Sequence, residues 1–178
     1  MTMMTYLGID PSLTSTGLAF VEQPMDGGEI TILKITTLKV KLPKHATNLE
    51  RVGRLIALRD MLAEQLKNYP PTRATVEGYA YSPAGGSRSH ALGEWGGVLR
   101  VLLDDVGVPI SIVPPSSLKK YATGIGNSKK EAMVAAANEK FGLELKNSNN
   151  DEADALFLAQ IACRSDPEAI RLWEAGWK

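Results

Sequence analysis

The sequence predicts an α/β protein in which helices flank one mixed β-sheet. Three short segments joined by tight turns open the chain and indicate an antiparallel meander. From residue 48 onward, helical and strand segments alternate, which is typical of a layered α/β domain. The 178 residues are enough for one domain, which we place at residues 1–165, followed by a short helical tail at residues 166–178.

The opening meander follows from its turn residues. Pro11 cannot donate to a β-ladder, so we expect the first strand to end at Asp10. Gly27 and Gly28 supply the positive φ that a hairpin turn requires. After that turn, β-branched and polar residues alternate, which predicts another strand. The three strands are expected at residues 6–9, 17–21 and 30–40.

Helices follow from apolar spacing and from cap residues. Apolar side chains recur at intervals of three and four over residues 48–68 and predict a helix. A capping box of Ser128 and Glu131 is expected to open a later helix, which Gly142 ends. The stripe expected to face the sheet is Leu49, Val52, Leu55, Ile56, Leu62 and Leu66. Further strands are expected at residues 74–77 and 109–113, and further helices at residues 89–106, 115–120, 128–141, 151–163 and from residue 166.

Charge is balanced over the chain, with 20 basic and 20 acidic residues. Nucleic-acid-binding proteins usually present a basic surface, so the overall charge argues against that class. Basic residues nevertheless cluster twice along the sequence, and each cluster has a simpler interpretation as a solvated helix face. The clusters are Lys39, Lys41, Lys44, Arg51, Arg54 and Arg59, and later Lys119, Lys120, Lys129 and Lys130.

Composition also indicates the cellular compartment in which the protein is expected. A single cysteine, Cys163, excludes an internal disulfide and a cysteine-rich zinc site. The first residues lack a basic flank and an apolar run, so no secretion signal is predicted. No apolar segment approaches the length of about 18 residues that a membrane span needs. We therefore expect a cytoplasmic protein of a bacterial or phage-infected cell, with no membrane partner.

Acidic residues at element ends are the candidates for chemistry. Asp10 and Glu77 each end a predicted strand, and ligands bind at that edge of open α/β sheets. Asp151 and Asp154 are three residues apart in the first turn of a predicted helix and share one face. Taken singly, each has a structural interpretation: a turn opener, a strand end, or acids that suit a helix N-terminus.

Convergence of these acids would point to divalent metal. Two carboxylates about 4 Å apart repel by roughly 4 kcal/mol at an effective dielectric near 20, and a cation removes that repulsion. Hard oxygen ligands suit Mg²⁺ or Mn²⁺, and we expect the two histidines, His45 and His90, at the surface. An acidic two-metal site suits phosphodiester hydrolysis.

Motifs in a fixed order resemble the RuvC family of Holliday junction resolvases. The resemblance implies a ribonuclease H-like fold with a five-stranded mixed sheet. It also implies a homodimer that binds four-way DNA junctions and makes paired nicks, leaving 5′-phosphate and 3′-hydroxyl ends. The implied cofactor is Mg²⁺, two ions for each active site, with Mn²⁺ as a substitute, and no small-molecule substrate is implied. The motifs are Gly8-Ile9-Asp10-Pro11, Gly17, Val76-Glu77, Gly124-Ile125-Gly126, Lys129-Lys130 and Asp151-Glu152-Ala153-Asp154.

The resemblance assigns roles to particular residues. Asp10, Glu77, Asp151 and Asp154 would be the metal-binding catalytic acids. Lys119 and Lys130 match lysines near the scissile phosphate, where a cation stabilises developing charge. The candidate DNA contacts are Tyr79, Tyr81, Arg88, Lys119, Lys120, Lys129 and Lys130.

Two positions depart from the family pattern. Ser12 stands where bacterial members usually have glycine, and Ala80 stands where the family has an aromatic wedge. Tyr79 or Tyr81 beside it could stack on an opened base pair or pack in the dimer. These changes indicate a divergent, phage-type member. The glycine-rich helix at residues 89–106 matches the dimerisation region, where Trp95 could belong to the interface or the core.

Other functions remain open at this point. Another ribonuclease H-like nuclease, acting on other branched DNA or on RNA, would share the opening aspartate motif. A sugar-kinase or actin-type ATPase shares the opening strand, but that fold needs well over 300 residues by family expectation. A junction-binding protein without catalysis would not need all four acids, and none of the four is missing.

Overall fold

A five-stranded mixed sheet forms the centre of the computed structural model, which describes residues 2–79 and 86–177, except for the side chains of residues 86–89. The strand order is β3-β2-β1-β4-β5. The first three strands form the predicted antiparallel meander, and β4 and β5 run parallel to β1. The strands are β1 (Met3–Asp10), β2 (Thr16–Pro24), β3 (Thr31–Leu38), β4 (Arg73–Glu77) and β5 (Ile110–Val113).

Helices cover both faces of the sheet. One core cluster joins the sheet to the first two helices, and the second joins it to the last four. A short 3₁₀ turn, Asn147–Asn149, precedes the fifth helix. The helices are α1 (Asn48–Asn68), α2 (Gly86–Asp105), α3 (Pro115–Thr123), α4 (Lys130–Phe141), α5 (Asn150–Cys163) and α6 (Pro167–Gly176). Among the described helices, none has the length and hydropathy of a membrane span.

Cap residues set several of these ends. Thr47 and Glu50 form a capping box at the start of α1. Gly142 ends α4 in the left-handed conformation, φ 64°, as predicted. The capping box predicted at Ser128 is wrong, because a turn closed by the bond from the Ser128 amide to the Ile125 carbonyl delays the helix. Lys129 is the N-cap residue instead, and it makes no side-chain cap bond.

The apolar stripe predicted for α1 is only partly correct. Leu58, Leu62 and Leu66 are buried, whereas Leu49 is 82% exposed. At about 100° per residue, these leucines lie on the opposite side of the helix from Leu49. The predicted stripe, based on intervals of three and four residues, therefore combined residues from two different faces of the helix. Val52 and Ile56 share the exposed face with Leu49.

The last helix packs on the body of the protein. Trp173 is buried in the core cluster on the α5 side of the sheet. The buried Ser111 hydroxyl of β5 donates to the Trp173 carbonyl at 2.9 Å. Cys163 is a buried free thiol. The C-terminal helix therefore completes one layer of the fold.

Candidate active site

Strand order brings two of the predicted acids to one edge of the sheet. β1 and β4 are parallel neighbours, with Ile9 paired to Val76. Asp10 and Glu77 follow these residues, so both carboxylates lie at the carboxyl ends of adjacent strands. Their side chains lie within hydrogen-bonding reach of each other, and Asp10 is only 8% exposed. The interpretation of both residues as mere strand ends does not explain this pairing.

Helix α5 brings the other two acids over the same edge. Asp151 and Asp154 lie in its first turns, and both act electrostatically on Asp10. Two glycines allow the approach: a Cβ atom on Gly8 would overlap the Ala155 carbonyl oxygen, and one on Gly17 would overlap that of Asp151. Strands β1 and β2 therefore contact the backbone of α5 directly. This close packing determines how far Asp151 and Asp154 lie from the sheet edge.

Burial and electrostatic repulsion favour the protonated forms of Asp10 and Glu77. Burial, followed by repulsion from Glu77 and Asp154, raises the pKa of Asp10 well above its usual value. Burial also raises the pKa of Glu77, while Asp10 as a hydrogen-bond donor and the cation of Lys119 act in the opposite direction. Both shifts favour a protonated carboxyl group in this pair while no cation is bound.

The Asp154 carboxyl has a strongly raised pKa. Burial and then repulsion from Glu77 and Asp151 raise the pKa of Asp154 to about 7, although Lys119 and Lys130 act to lower it. Its Oδ1 atom is buried without a hydrogen-bond partner in the described structure. A buried, unpartnered carboxylate oxygen among other carboxylates is an unsatisfied ligand position that suits a divalent cation.

These pKa values predict how stability depends on pH. The Asp154 carboxyl has a pKa of 3.8 in its reference state and about 7 when folded, so between these values the folded protein binds more protons. Its contribution to metal-free stability therefore falls as pH rises through that interval. We expect the melting temperature of wild type relative to Asp154→Asn to decline between about pH 4 and about pH 7 in a chelator. A difference that is flat or that rises with pH would contradict this assignment.

Two lysines complete the charge pattern. Lys119 in α3 and Lys130 at the start of α4 both act to lower the pKa of Glu77 and of Asp154. Lys119 is half-buried and Lys130 is exposed. The structure therefore brings both predicted lysines into electrostatic range of Glu77 and Asp154.

A buried bond that was not predicted supports the turn after Asp10. The Thr16 hydroxyl donates to the Ser12 carbonyl at 2.6 Å and accepts a bond from the Trp95 indole nitrogen at 3.0 Å. Trp95 is fully buried, which decides between core and interface in favour of the core. The available sequence signal was a threonine between a polar turn and a strand, but nothing in the sequence identified its partner, 79 residues away.

The other candidate DNA contacts are more dispersed. Lys129 is exposed beside Lys130, whereas Lys120 lies near α6. The ion pair with Arg171 lowers the pKa of Glu168, and Lys120 adds to that effect. Tyr79 is 40% exposed and packs against Gly96 of α2. Tyr81, Ala80 and the side chain of Arg88 lie outside the described residues.

The donor chemistry fits a hard divalent cation, although the acids do not yet form a complete ligand set. Across residues 2–79 and 86–177, no three acidic, histidine or cysteine side chains already stand close enough to hold one metal ion. Glu77, Asp151 and Asp154 each act electrostatically on Asp10, so the four acids lie within range of one another. One or two carboxylates with water molecules are enough to hold Mg²⁺, so these acids still fit such an ion. His45 and His90 are exposed, as predicted.

Comparison with protein families gives the decisive observation. The sequence profile described as crossover junction endodeoxyribonuclease RuvC matches residues 6–162. The chain belongs to the RuvC family. The match includes all four acids and both lysines, and it ends one residue before Cys163. The resemblance predicted from the sequence motifs is therefore confirmed.

Individual relatives agree with this placement. The RuvC protein of Mycobacterium tuberculosis is 29% identical over 172 residues, which are 97% of this chain and 88% of that protein. The Thermus thermophilus RuvC in complex with a Holliday junction substrate has a TM-score of 0.71 at 23% identity, covering 96% of this chain and 94% of its own. The yeast mitochondrial Holliday junction resolvase Ydc2 has a TM-score of 0.60 at 15% identity, covering 95% and 81%. These likenesses confirm the predicted ribonuclease H-like fold of this RuvC-family chain.

Proposed function

We propose that this protein is an endonuclease that resolves four-way DNA junctions by paired phosphodiester hydrolysis. The observation that carries the proposal is the meeting of Asp10, Glu77, Asp151 and Asp154 at one sheet edge in a RuvC-family chain. Structural roles alone would not bring four acids together against their own repulsion. The curated relatives have crossover junction endodeoxyribonuclease as their name, and one similar structure holds a Holliday junction.

The proposed cofactor is Mg²⁺, two ions for each site, with Mn²⁺ as a substitute. Enzymes of this family are metal-dependent nucleases. When bound, such ions lower the pKa of an attacking water and stabilise the leaving oxygen. Asp10, Glu77, Asp151 and Asp154 would hold them, because carboxylate oxygens are the ligands that Mg²⁺ prefers and these carboxylates need a counter-charge.

The protein's own residues supply positioning and charge. Because the pKa values of Asp10 and Glu77 are raised, any proton on either group must leave before both can act as ligands, so cutting should increase with pH. We assign Lys119 and Lys130 to the phosphate that is being cut, because both already act on the acids. Their ammonium groups would stabilise the charge that builds on the phosphate oxygens. The products would carry 5′-phosphate and 3′-hydroxyl ends.

A homodimer is the proposed assembly, since paired cuts in a four-way junction need two active sites related by a twofold axis. Helix α2 offers a surface for it. Gly93 and Gly97 are one turn apart, and a Cβ atom on either would meet nothing within 4 Å in the described structure. Val101, one turn further, is exposed. The small residues permit close helix approach. Helix α1 also exposes three apolar residues, Leu49, Val52 and Ile56.

Tyr79, Tyr81, Arg88, Lys120 and Lys129 remain proposed DNA contacts. Arg100 lies over the Tyr79 ring, 5.8 Å from its centroid, so this tyrosine is braced from α2. A braced and partly exposed ring two residues after Glu77 is suited to stacking on a base.

The decisive experiment uses a mobile synthetic four-way junction with Mg²⁺, with Mn²⁺, and with a chelator. We expect two symmetric nicks that require metal, mapped to the nucleotide, with ends that a ligase can reseal. A fork, a flap, plain duplex and structured RNA serve as comparison substrates. Preferred cutting of RNA would favour another nuclease of this fold, and tight junction binding without cutting would favour a binding protein.

A further inference from the structure

A positively charged groove lies beside the candidate active site. A cavity of about 530 Å³ begins at Pro11, the residue that follows Asp10. The turn after β1, the connection that leads into α1, and the helices α1 and α2 form its walls. Its lining contains three basic residues, Lys44, Arg51 and Arg54, and no acidic residue within the described part of the chain. The chain as a whole has no net charge, so this local excess is notable.

Arg54 has an unsatisfied donor in this groove. Its Nε atom is buried and has no hydrogen-bond partner among the described residues. Burial, followed by repulsion from Arg51, lowers the pKa of Arg54, while Glu94 of α2 acts in the opposite direction. The guanidinium remains charged at any physiological pH. A buried charged donor that lacks a partner is costly, and an anion bound beside the guanidinium would offset that cost.

The other walls supply compatible groups. The Arg51 Nε atom donates to the Ala46 carbonyl at 3.3 Å, which fixes this side chain against the wall of the groove. Across from it, the Ser12 and Thr14 hydroxyls lie 3.3 Å apart and are exposed. Hydroxyl groups and arginine forks are the common protein ligands of DNA phosphates. Ser12 is also one of the positions that departs from the family pattern.

We propose that Lys44, Arg51 and Arg54 form a groove that binds the phosphates of the DNA strand next to the bond being cut. The proposal rests on the proposed nuclease function and extends it to basic residues that the resemblance did not assign. The occupant is a strand backbone because the lining of the groove includes Pro11, the residue after Asp10, and three cations. Such a groove would hold the strand on the opposite side of the site from Lys119 and Lys130, which come from the helices of the other layer.

The test measures junction binding at several salt concentrations in a chelator, so that no cutting occurs. For the double variant Arg51→Gln/Arg54→Gln we expect affinity to fall about tenfold or more at moderate salt. The slope of log affinity against log salt should become shallower by roughly one to two, since each lost phosphate contact removes about 0.9.

Arg59→Gln is the matched control, because Arg59 lies on the same helix but pairs with Asp60 at 2.7 Å and does not line the groove. It should keep the wild-type slope. An equal change in affinity and salt slope in both variants would indicate a general charge effect and would refute the proposed role of the groove. If circular dichroism shows that the double variant is unfolded, the exposed single changes Arg51→Gln and Lys44→Gln decide the question in its place. Wild-type protein that binds no DNA would refute the nuclease proposal, whereas wild-type binding with an unchanged slope in the variants would refute the groove alone.

Discussion

Asp10→Asn is expected to abolish junction cutting while leaving folding and junction binding intact. The amide keeps the size of the side chain but cannot serve as an anionic metal ligand. Losing several kcal/mol of metal-dependent transition-state stabilisation corresponds to about three orders of magnitude in rate. Because burial and repulsion raise the pKa of Asp10, ionisation of this carboxyl costs stability, so the neutral amide should raise the melting temperature of the metal-free protein increasingly as pH rises. Nicking of a labelled junction and thermal melting measure the two effects.

Asp26→Asn provides the control for this change, since Asp26 is exposed in the hairpin turn far along β2 from the site. It should cut at the wild-type rate and melt at the wild-type temperature. If Asp10→Asn cut at a normal rate, Asp10 could not be a catalytic ligand. Lost cutting together with a lower melting temperature would indicate that Asp10 stabilises the fold rather than the metal.

Gly8→Ala is expected to destabilise the protein more than other single-methyl changes in the sheet. The added Cβ would overlap the Ala155 carbonyl and the Ala159 backbone nitrogen, neither of which can rotate away. Overpacking against backbone costs about 3 kcal/mol. For a domain of this size that corresponds to a fall of roughly 6–12 °C in melting temperature. The shift of α5 would also lift Asp151 and Asp154 from the sheet edge, so cutting should fall even in the molecules that remain folded.

Gly53→Ala is the matched comparison, because a Cβ at this position in α1 would meet nothing within 4 Å. Alanine favours a helix over glycine by up to about 1 kcal/mol, so this variant should be neutral or slightly stabilised. If both alanine variants melted like wild type, then α5 does not pack directly on β1, and the geometry described for the acids would be wrong.

Local residue patterns predicted the elements well because their causes are local. The bounds of α1 agree with the prediction because a cap and two prolines mark its ends. The prediction of a capping box at Ser128 was wrong because a backbone hydrogen bond closes the turn before the helix, and no side-chain pattern in the sequence indicates that bond. The prediction of the buried face of α1 was partly wrong because periodicity shows where apolar residues recur but not which of two helix faces packs against the sheet. Strand order required tertiary structure, since pairing partners are not encoded within a strand.

The candidate site shows the same division. Its acids could be proposed from position and from family resemblance, because strand ends and helix starts are visible in sequence. The contacts that set their geometry could not be predicted. The bond between Thr16 and Trp95, the clash that keeps Gly17 a glycine, and the unpartnered Nε atom of Arg54 all join segments distant in sequence. These contacts determine how the acids are held, and only the folded chain reveals them.

The Trp95 indole links the proposed dimer surface of α2 to the turn that follows Asp10. This one helix carries the open glycine face assigned to the partner subunit and, on its buried side, the nitrogen that secures the turn beyond Asp10. A displacement of α2 would therefore also move the turn beyond Asp10, because this one indole bond joins them.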